Sequence, residues 1–260
     1  MTEGAGGQPA VDLNCDLGES FGPYRMGDDA AILPYVTSAN IACGFHAGDP
    51  AVMASTVRLC LEHGVRIGAH PGLPDLQGFG RRELRLSPEE IYGAVLYQLG
   101  ALEAFLRPYG ERLHHVKPHG ALYNMAAADG VLARSVAEAV RDFCPSLLLY
   151  GLAGSRLIRA GQDAGLSTVS EVFADRGYRP DGSLTPRQEP GAVVHDSSQA
   201  IARVLEMVRT GGVAASDGSR VAMAAETVCI HGDHPGAAEF ARRIRLELEE
   251  NGIRVCPPMG

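Results

Sequence analysis

The stretch HGVRIGAHPGLPDLQGFGRRELRLSPEE, residues 63–90, contains one complete unit of the predicted fold. A two-residue turn, His63-Gly64, leads into the apolar run VRIGAH (65–70), and a long segment rich in glycine, proline and charge (71–87) leads out of it. Ser87-Pro88-Glu89-Glu90 then has the form of a capping box with proline at the first helical position, which predicts a helix start. The stretch therefore predicts a strand, a long loop and a helix, in that order.

The same order of elements repeats along the chain. Short runs rich in β-branched and apolar residues alternate with longer segments of helical period, and Asp49-Pro50 predicts a further helix start. Gly165 stands where a helix would end, just before the next run. The seven predicted strands are VDLNCDL (11–17), SANIACGF (38–45), VRIGAH (65–70), HHVKPHG (114–120), LLLYGLA (147–153), STVSEVF (167–173) and TVCIHGD (227–233). A repeated strand–helix order predicts an α/β fold with a parallel sheet and helices outside it.

The connections differ in length on the two sides of the predicted strands. Turns that enter strands are short, whereas the segments 17–37, 71–87 and 174–194, which leave strands, are long and rich in glycine, proline and charge. In a parallel barrel the loops that leave the strands share one face, and active sites form there. We therefore expect the functional residues to follow the carboxyl ends of the strands.

Chain length and pattern together favour one domain. A length of 260 residues suits either one large barrel or two small domains. No linker-like segment interrupts the pattern, which favours the barrel. We expect residues 10–260 to form a single (β/α)7-type barrel domain, with a disordered tail at residues 1–9 and a short closing segment at residues 252–260.

Composition narrows the classes of partner and compartment. The net charge is −8 and no basic run is longer than Arg81-Arg82, which argues against nucleic acid or an anionic membrane surface as a partner. The start, MTEGAGGQPA, lacks the basic and apolar regions of a signal peptide, and no apolar run reaches the roughly 18 residues of a membrane span. We expect a cytoplasmic protein that acts on a small molecule, either as a monomer or as a homo-oligomer.

Several common site motifs are absent from the sequence. The six cysteines show no CxxC spacing, so neither a zinc ribbon nor a disulfide framework is predicted. The chain has no GxxxxGK[ST] phosphate loop and no G-x-G-x-x-G after a strand. A G-x-S-x-G elbow and an H-E-x-x-H helix are also missing.

Four of the nine histidines share one local context, in which the histidine ends an apolar run and glycine follows within two residues. They occur in GFHAGD (His46), GAHPGLPD (His70), KPHGALYN (His119) and CIHGDHPG (His231). Such histidines are placed for acid–base work, for metal ligation, or for hydrogen bonds that close the top of the barrel. The remaining histidines lack this context and are predicted as surface, turn or cap residues: His63, His114, His115, His195 and His234.

Carboxylates follow the same predicted strands. Asp16 and Glu171 alternate with apolar residues, so their side chains should point into the barrel, where a carboxylate needs a partner. Asp49 and Asp233 precede prolines and are equally consistent with helix caps. Further polar residues of this predicted rim are Asn14, Glu19, Asp75 and Asp175.

Lys117 is the single lysine among 23 basic residues, and it precedes His119 by two positions. Both side chains should therefore lie on one strand face and point inward. Lysine offers a compact ammonium that fits a small cavity, whereas arginine is larger and planar. The alternative to an interior, functional lysine is a surface lysine that is present by chance. The loop 174–194, which contains Arg176, Tyr178 and Arg179, is a predicted lid.

Six motifs, in chain order, resemble the LamB/YcsF family: VDLNCDLGE, ANIACGFHAGD, GAHPGLPD, VKPHGALYN, EVFADRGY and CIHGD. The resemblance implies a distorted seven-stranded barrel related to glycoside hydrolases and deacetylases. It also implies a hydrolase acting on a cyclic amide, which opens 5-oxo-L-proline (pyroglutamate) to L-glutamate. In that reaction ATP is a co-substrate, and two separate chains, subunits B and C, are partners.

On this resemblance, the residues of the predicted rim receive roles. Asp16 or Glu171 is the expected base and Lys117 the expected charge stabiliser, with acid–base or positioning roles for His46, His70, His119 and His231. The expected substrate-binding residues are Asn14, Glu19, Asp175, Arg176, Tyr178 and Asp233. Two alternatives remain: a divalent-metal-dependent, deacetylase-like hydrolase that uses Asp16 and two rim histidines, and a non-catalytic subunit that binds the lactam. Whether a metal is bound stays open, and ATP binding by this chain rests on the resemblance alone.

Overall fold

The computed structural model describes residues 8–232 and 236–259 and contains a closed barrel of seven parallel strands. The barrel order is β1-β2-β3-β4-β5-β6-β9, and β9 pairs back onto β1. The strands are β1 (Ala10–Leu17), β2 (Ser38–Ala42), β3 (Arg66–His70), β4 (His115–Val116), β5 (Leu148–Leu152), β6 (Thr168–Phe173), β7 (Gly212–Ala214), β8 (Arg220–Ala222), β9 (Thr227–Ile230) and β10 (Arg254–Val255). The predicted seven-stranded parallel barrel is thus confirmed, and each predicted strand overlaps one barrel strand.

Helices cover the outside of the barrel. They are α1 (Asp29–Ile32), α2 (Pro50–His63), α3 (Pro88–Leu106), α4 (Gly120–Ala128), α5 (Gly130–Phe143), α6 (Arg156–Asp163), α7 (Ser197–Thr210) and α8 (Ala237–Glu250). The predicted capping box begins α3, because Ser87 and Glu90 each accept the backbone N–H of the other. Asp49 caps α2, which ends at Gly64 in the left-handed conformation. No helix in the described residues is long and apolar enough to cross a membrane.

Three short strands were not predicted. β7 and β8 form an antiparallel hairpin, and β10 pairs with the start of β1. Strands of two or three residues are too short to show a sequence period. β10 lies in the predicted closing segment, where the Arg254 amide also donates to the Pro9 carbonyl over 2.8 Å. Residues 1–7 of the predicted disordered tail lie outside the described residues.

The β4 ladder continues past the formal end of the strand. The Lys117 amide donates to the Ala69 carbonyl, and the His119 amide donates to the Pro71 carbonyl, both over 2.9 Å. These bonds keep the chain extended as it leaves the barrel, so alternate side chains still point toward the axis. They place Lys117 and His119 at the end of the barrel where the strands terminate, which is called the exit face below.

A buried polar network fills the opposite end of the barrel. Asp12 accepts hydrogen bonds from the hydroxyls of Thr37, Ser38, Tyr150 and Thr227. Burial raises the pKa of Asp12, although these four donors act in the other direction. The network therefore fills the entry end of the barrel.

Candidate active site

The ammonium of Lys117 lies at the centre of a cluster of polar side chains inside the exit face. Its Nζ is 2.9 Å from Asp16 Oδ1, 2.9 Å from Glu171 Oε1, 3.2 Å from Asn14 Oδ1 and 3.1 Å from Cys229 Sγ. The lysine side chain is only 3% exposed. Burial acts to lower the pKa of Lys117, but the charges of the carboxylates outweigh it and raise that pKa well above its ordinary value.

Glu171 is completely buried and fully hydrogen-bonded. Its Oε1 accepts from the Asn14 amide over 2.9 Å and contacts Lys117, and its Oε2 accepts from the Tyr123 hydroxyl over 2.7 Å. Tyr123 lies on α4 and is four residues after His119, so the same helix start supplies both groups. The Glu171 carboxylate is therefore positioned by three donors and has no oxygen directed at an open space.

Asp16 differs from Glu171 in having a partly accessible carboxylate. Its Oδ1 accepts from Asn40 Nδ2 over 2.8 Å and from Lys117, whereas its Oδ2 lies 3.3 Å from His70 Nε2. The side chain is 13% exposed. Burial acts to raise the pKa of Asp16, but His70 and Lys117 outweigh it and hold that pKa well below its usual range. We call Lys117, Asp16, Glu171, Asn14 and Asn40 the Lys117 cluster.

Three of the four predicted histidines lie beside this cluster. His70 Nδ1 is 2.7 Å from the Lys117 carbonyl, and His70 Nε2 is 2.9 Å from His119 Nδ1. His119 Nε2 is 2.8 Å from the Phe79 carbonyl. The ring of His46 stacks on that of His119, with centroids 3.7 Å apart. We call His46, His70 and His119 the histidine group.

The loop after β3 packs tightly on the histidine group. Gly80 has a φ of 62°, and a Cβ at this position would lie 2.8 Å from atoms of both His46 and His119. A Cβ on Gly72 would lie 2.5 Å from His46 Nδ1. Glycine is required at these positions because any side chain would displace the rings.

Glu19 joins the histidine group from the loop after β1. Its Oε1 lies 3.8 Å from His119 Nδ1 and 4.0 Å from His46 Nε2. Burial lowers the pKa of His46 well below its ordinary value, and burial lowers the pKa of His119 to about 3. Ligand atoms of Glu19 and the three histidines all lie within 4.8 Å of one another, which is a spacing at which they could hold a metal ion.

His231 lies in a separate arrangement at the edge of the exit face. Its Nδ1 is 2.9 Å from Asp175 Oδ2, and its Nε2 is 3.1 Å from Nη2 of Arg187 in the loop 174–194. His231 stacks on the Phe173 ring at 5.8 Å, and the Lys117 Nζ lies 5.7 Å from the same ring. The Phe173 ring is therefore a neighbour of both Lys117 and the pair His231 and Asp175, which we call the lid pair.

Arg176 and Tyr178 lie within the loop and stabilise its shape. The buried guanidinium of Arg176 donates to the backbone carbonyls of Ala192 and Thr185. The Tyr178 hydroxyl accepts the Phe173 amide over 2.8 Å. These contacts favour a structural role over a direct contact with substrate. Asp233, the remaining predicted substrate-binding residue, lies outside the described residues.

Sequence reasoning missed four polar residues in or beneath the site. Tyr123 and Cys229 contact Glu171 and Lys117 directly, and Asn40 donates to both Asn14 and Asp16. The prediction for His115 as a surface, turn or cap residue is wrong, because its ring is buried in the barrel with Nε2 2.7 Å from Asn40 Oδ1. His115 precedes Lys117 by two residues, so strand alternation could have identified it, whereas the glycine context could not.

Known proteins resemble this chain in sequence and in fold. The sequence profile of the LamB/YcsF family matches residues 11–260. The A subunit of 5-oxoprolinase from Bordetella parapertussis is 60% identical over 247 residues, which cover 95% of this chain and 98% of that protein. The protein of the same name from Geobacillus kaustophilus is 58% identical over 248 residues, covering 95% of this chain and 96% of that protein.

A solved structure agrees with these relatives. The crystal structure of the lactam utilization protein from Thermus thermophilus matches with a TM-score of 0.90 and 51% sequence identity. The match covers 95% of this chain and 99% of that chain. Sequence and structure therefore agree over nearly the whole length, and the chain belongs to the LamB/YcsF family.

Proposed function

We propose that this chain is the subunit of an ATP-dependent 5-oxoprolinase that opens the lactam of 5-oxo-L-proline to give L-glutamate. The observation that carries the proposal is the Asp16 carboxylate at the exit face, with one oxygen held by Lys117 and the other directed toward His70. Relatives at 58% and 60% identity are named as the A subunit of 5-oxoprolinase, which supports this choice of substrate.

Asp16 suits the role of general base. The lactam is a resonance-stabilised amide and a poor electrophile, and phosphoryl transfer from ATP to its oxygen would activate the ring carbon. Water can then add to that carbon if a base removes its proton. Cleavage of the C–N bond leaves a glutamyl phosphate, and a second water releases the phosphate to give glutamate. Asp16 is 13% exposed and ionised at neutral pH, whereas both oxygens of Glu171 are already hydrogen-bonded. We therefore assign the base to Asp16 and a positioning role to Glu171.

Lys117 balances the charge of these two carboxylates. Its ammonium contacts Asp16 and Glu171 at 2.9 Å each and holds both in fixed positions. A fixed cation next to the base also stabilises negative charge that develops as water adds, without reorganisation during the reaction. Four protein groups already surround its three N–H groups, so Lys117 acts mainly through Asp16.

His231 suits the role of acid for the ring nitrogen, which must gain a proton as the C–N bond breaks. Its Nδ1–H donates to Asp175, and Nε2 accepts from Arg187. Arg187 therefore has to move aside, and Nε2 has to take up a proton, before His231 can give that proton to the ring nitrogen. A carboxylate in this position fixes the imidazole tautomer and stabilises the cation that forms. We assign Asp175 as the positioning partner of His231, and the histidine group as positioning residues for Asp16.

The use of ATP requires the complex with the partner subunits. The sequence has no phosphate loop of its own, and we propose that ATP is bound and used together with subunits B and C. The relatives are named as one lettered subunit of an enzyme, which supports an assembly of several chains. The substrate 5-oxoproline would occupy the exit face between Asp16 and the lid pair.

Glutamate release from 5-oxoproline tests the proposal. We expect release only when this chain, subunits B and C, and ATP are all present, with equimolar ADP and glutamate. Asp16→Asn should slow release by about 10²-fold or more, and Asp163→Asn, at an exposed ion pair with Arg159, should leave it unchanged. Glutamate formed by the isolated chain without nucleotide would contradict the ATP-dependent assignment.

A second function is favoured by the group of Glu19, His46, His70 and His119. Carboxylate and imidazole ligands at this spacing are typical of metal-dependent hydrolases that cleave acyl amides without ATP. The assay is hydrolysis of N-acetylated amines by the zinc-loaded chain alone. Turnover there, with none on 5-oxoproline in the complete mixture, would favour this second function over the first.

A further inference from the structure

The tautomers of His70 and His119 are fixed by their hydrogen bonds to backbone carbonyls. A carbonyl oxygen only accepts, so His70 Nδ1 must carry the hydrogen that it donates to the Lys117 carbonyl over 2.7 Å. For the same reason, His119 Nε2 carries the hydrogen that it donates to the Phe79 carbonyl over 2.8 Å. The remaining nitrogens, His70 Nε2 and His119 Nδ1, therefore each present a lone pair when the rings are neutral.

These two lone pairs face each other at 2.9 Å. Two lone pairs at this distance repel each other unless a positive species lies between them, and that species is either a proton or a metal ion. Carboxylate oxygens surround the same point, since Asp16 Oδ2 is 3.3 Å from His70 Nε2 and Glu19 Oε1 is 3.8 Å from His119 Nδ1. The surroundings therefore favour a positive charge.

The surroundings of His46 favour a metal ion over a shared proton. Its ring is completely buried, and neither nitrogen has a hydrogen-bond partner among the described residues. Its Nε2 is directed to the same region, 4.0 Å from Glu19 Oε1. A buried imidazole without a partner is unfavourable, and a proton shared by His70 and His119 would leave it unchanged. A metal ion would give His46 Nε2 a partner.

We propose that Glu19, His46, His70 and His119 bind one divalent transition metal ion of the zinc class, a site beyond the proposed lactam hydrolysis. The four ligand atoms lie within 4.8 Å of one another, and the donors of a tetrahedral zinc ion lie about 3.3 Å apart, so a closure of about 1.5 Å at the widest pair completes the site. Three imidazoles and one carboxylate suit zinc, whereas magnesium and calcium prefer oxygen ligands.

The surroundings of His70 and His119 match those of metal-binding histidines. Such histidines usually donate the other ring N–H to a carboxylate or to a backbone carbonyl, which sets the tautomer and the ring orientation. The carbonyls of Lys117 and Phe79 take this part for His70 and His119. Both orienting carbonyls belong to segments that the barrel fixes, one just past β4 and one in the loop after β3. The ion would lie beside Asp16.

Metal binding by the purified full-length chain tests the proposal, with zinc and cobalt as the probes. After chelation and dialysis, we expect calorimetry to show one zinc ion per chain, and cobalt to give the visible absorption of a low-coordinate nitrogen–oxygen site. Glu19→Gln and His46→Ala should each weaken zinc binding by more than about 100-fold, because loss of even an outer partner costs about 10- to 100-fold. The exposed His195→Ala is the matched control and should bind as the wild type does.

Two results would overturn the proposal: no stoichiometric zinc binding by the wild-type chain, or binding that Glu19→Gln and His46→Ala leave unchanged. The first would assign a shared proton to His70 and His119, and the second would locate the metal elsewhere. Circular dichroism checks that the variants fold, and Glu19→Gln, which conserves shape, decides the matter if His46→Ala does not. Because the readout is binding, failure here is separate from failure of the proposed lactam hydrolysis.

Discussion

The Lys117 cluster and the lid pair both place charged groups at the exit face, but they are held in different ways. The members of the Lys117 cluster lie on or just past barrel strands, and Lys117 and Glu171 are buried and paired with several partners. The lid pair is 13% and 16% exposed, and the arginine that contacts it, Arg187, comes from a loop. Removal of one member should therefore have different consequences in the two regions.

The difference in burial between the two regions indicates which residues contribute to both stability and catalysis. A buried charge that loses its partner is costly, because neither water nor another group can replace that partner. A partly exposed pair has water available on one side, so the loss changes the local chemistry more than the folding free energy. We therefore expect variants in the Lys117 cluster to affect both stability and turnover, and variants in the lid pair to affect turnover alone.

Lys117 should show the largest effect. Lys117→Met leaves the Asp16 and Glu171 carboxylates without their shared cation, which should lower the free energy of unfolding by about 3 to 5 kcal/mol. Lys117→Arg keeps the charge, but the planar guanidinium needs more room than the contacts with Asn14 and Cys229 leave. We expect both variants to lose about 10² to 10³ in kcat. Glutamate release by the reconstituted complex and urea denaturation measure the two quantities.

The surface variant Arg179→Met is the control for Lys117, since Arg179 pairs with Glu189 in a half-exposed ion pair. Its unfolding free energy should change by less than about 1 kcal/mol. If Lys117→Arg keeps more than half of the wild-type turnover, the single lysine has no special role, and the comparison between the two regions loses its main support.

Asp16→Asn and Glu171→Gln should separate catalysis from stability within the Lys117 cluster. Asp16 is the proposed base, so Asp16→Asn should lower kcat by about 10²-fold or more. Glu171→Gln introduces an amide group beside the Lys117 ammonium and removes an ion pair that is completely buried. We expect it to destabilise the fold more than Asp16→Asn does. Equal unfolding curves for the two variants, or near wild-type turnover in both, would contradict this assignment.

The barrel and part of its site follow from local patterns in the sequence. Asp16, Lys117 and Glu171 could be identified because each carries a charge within an apolar strand. The contacts between residues could not be predicted, because they join distant parts of the chain: Asn14 bonds to Glu171 across 157 positions, and Lys117 contacts Cys229 across 112. Nothing local distinguishes a tyrosine such as Tyr123, on a helix, from an ordinary core residue.

The loop 174–194 shows that sequence patterns also fail to assign roles to individual loop residues. Arg176 was predicted to bind substrate because it lies in a charged loop, but its hydrogen bonds are to the backbone of that loop. Arg187, from the same loop, contacts His231. Which of the loop arginines faces the site depends on the conformation of the loop. The local periodicity of the sequence does not predict that conformation.

The lid pair should show a smaller effect than the Lys117 cluster, confined to turnover. His231→Gln removes the proposed acid and should lower kcat by about 10²-fold, the lower end of the range for general acid–base catalysis. Asp175→Asn removes only its positioning partner and should lower kcat less. Neither change should lower the unfolding free energy by more than about 1 kcal/mol, the typical contribution of one hydrogen bond. A large loss of stability in either variant would show that the lid pair belongs to the rigid core.

Arg187 should show the smallest effect. Its exposed side chain contacts His231 Nε2 at 3.1 Å. Arg187→Met removes one donor to a nitrogen that water can also reach, so kcat/KM should fall by less than about 10-fold, since one hydrogen bond contributes about 1 kcal/mol. Arg220→Met, at the exposed Glu206 ion pair on the β7–β8 hairpin, is the control. A loss from Arg187→Met as large as that from His231→Gln would place Arg187 in the catalytic step itself.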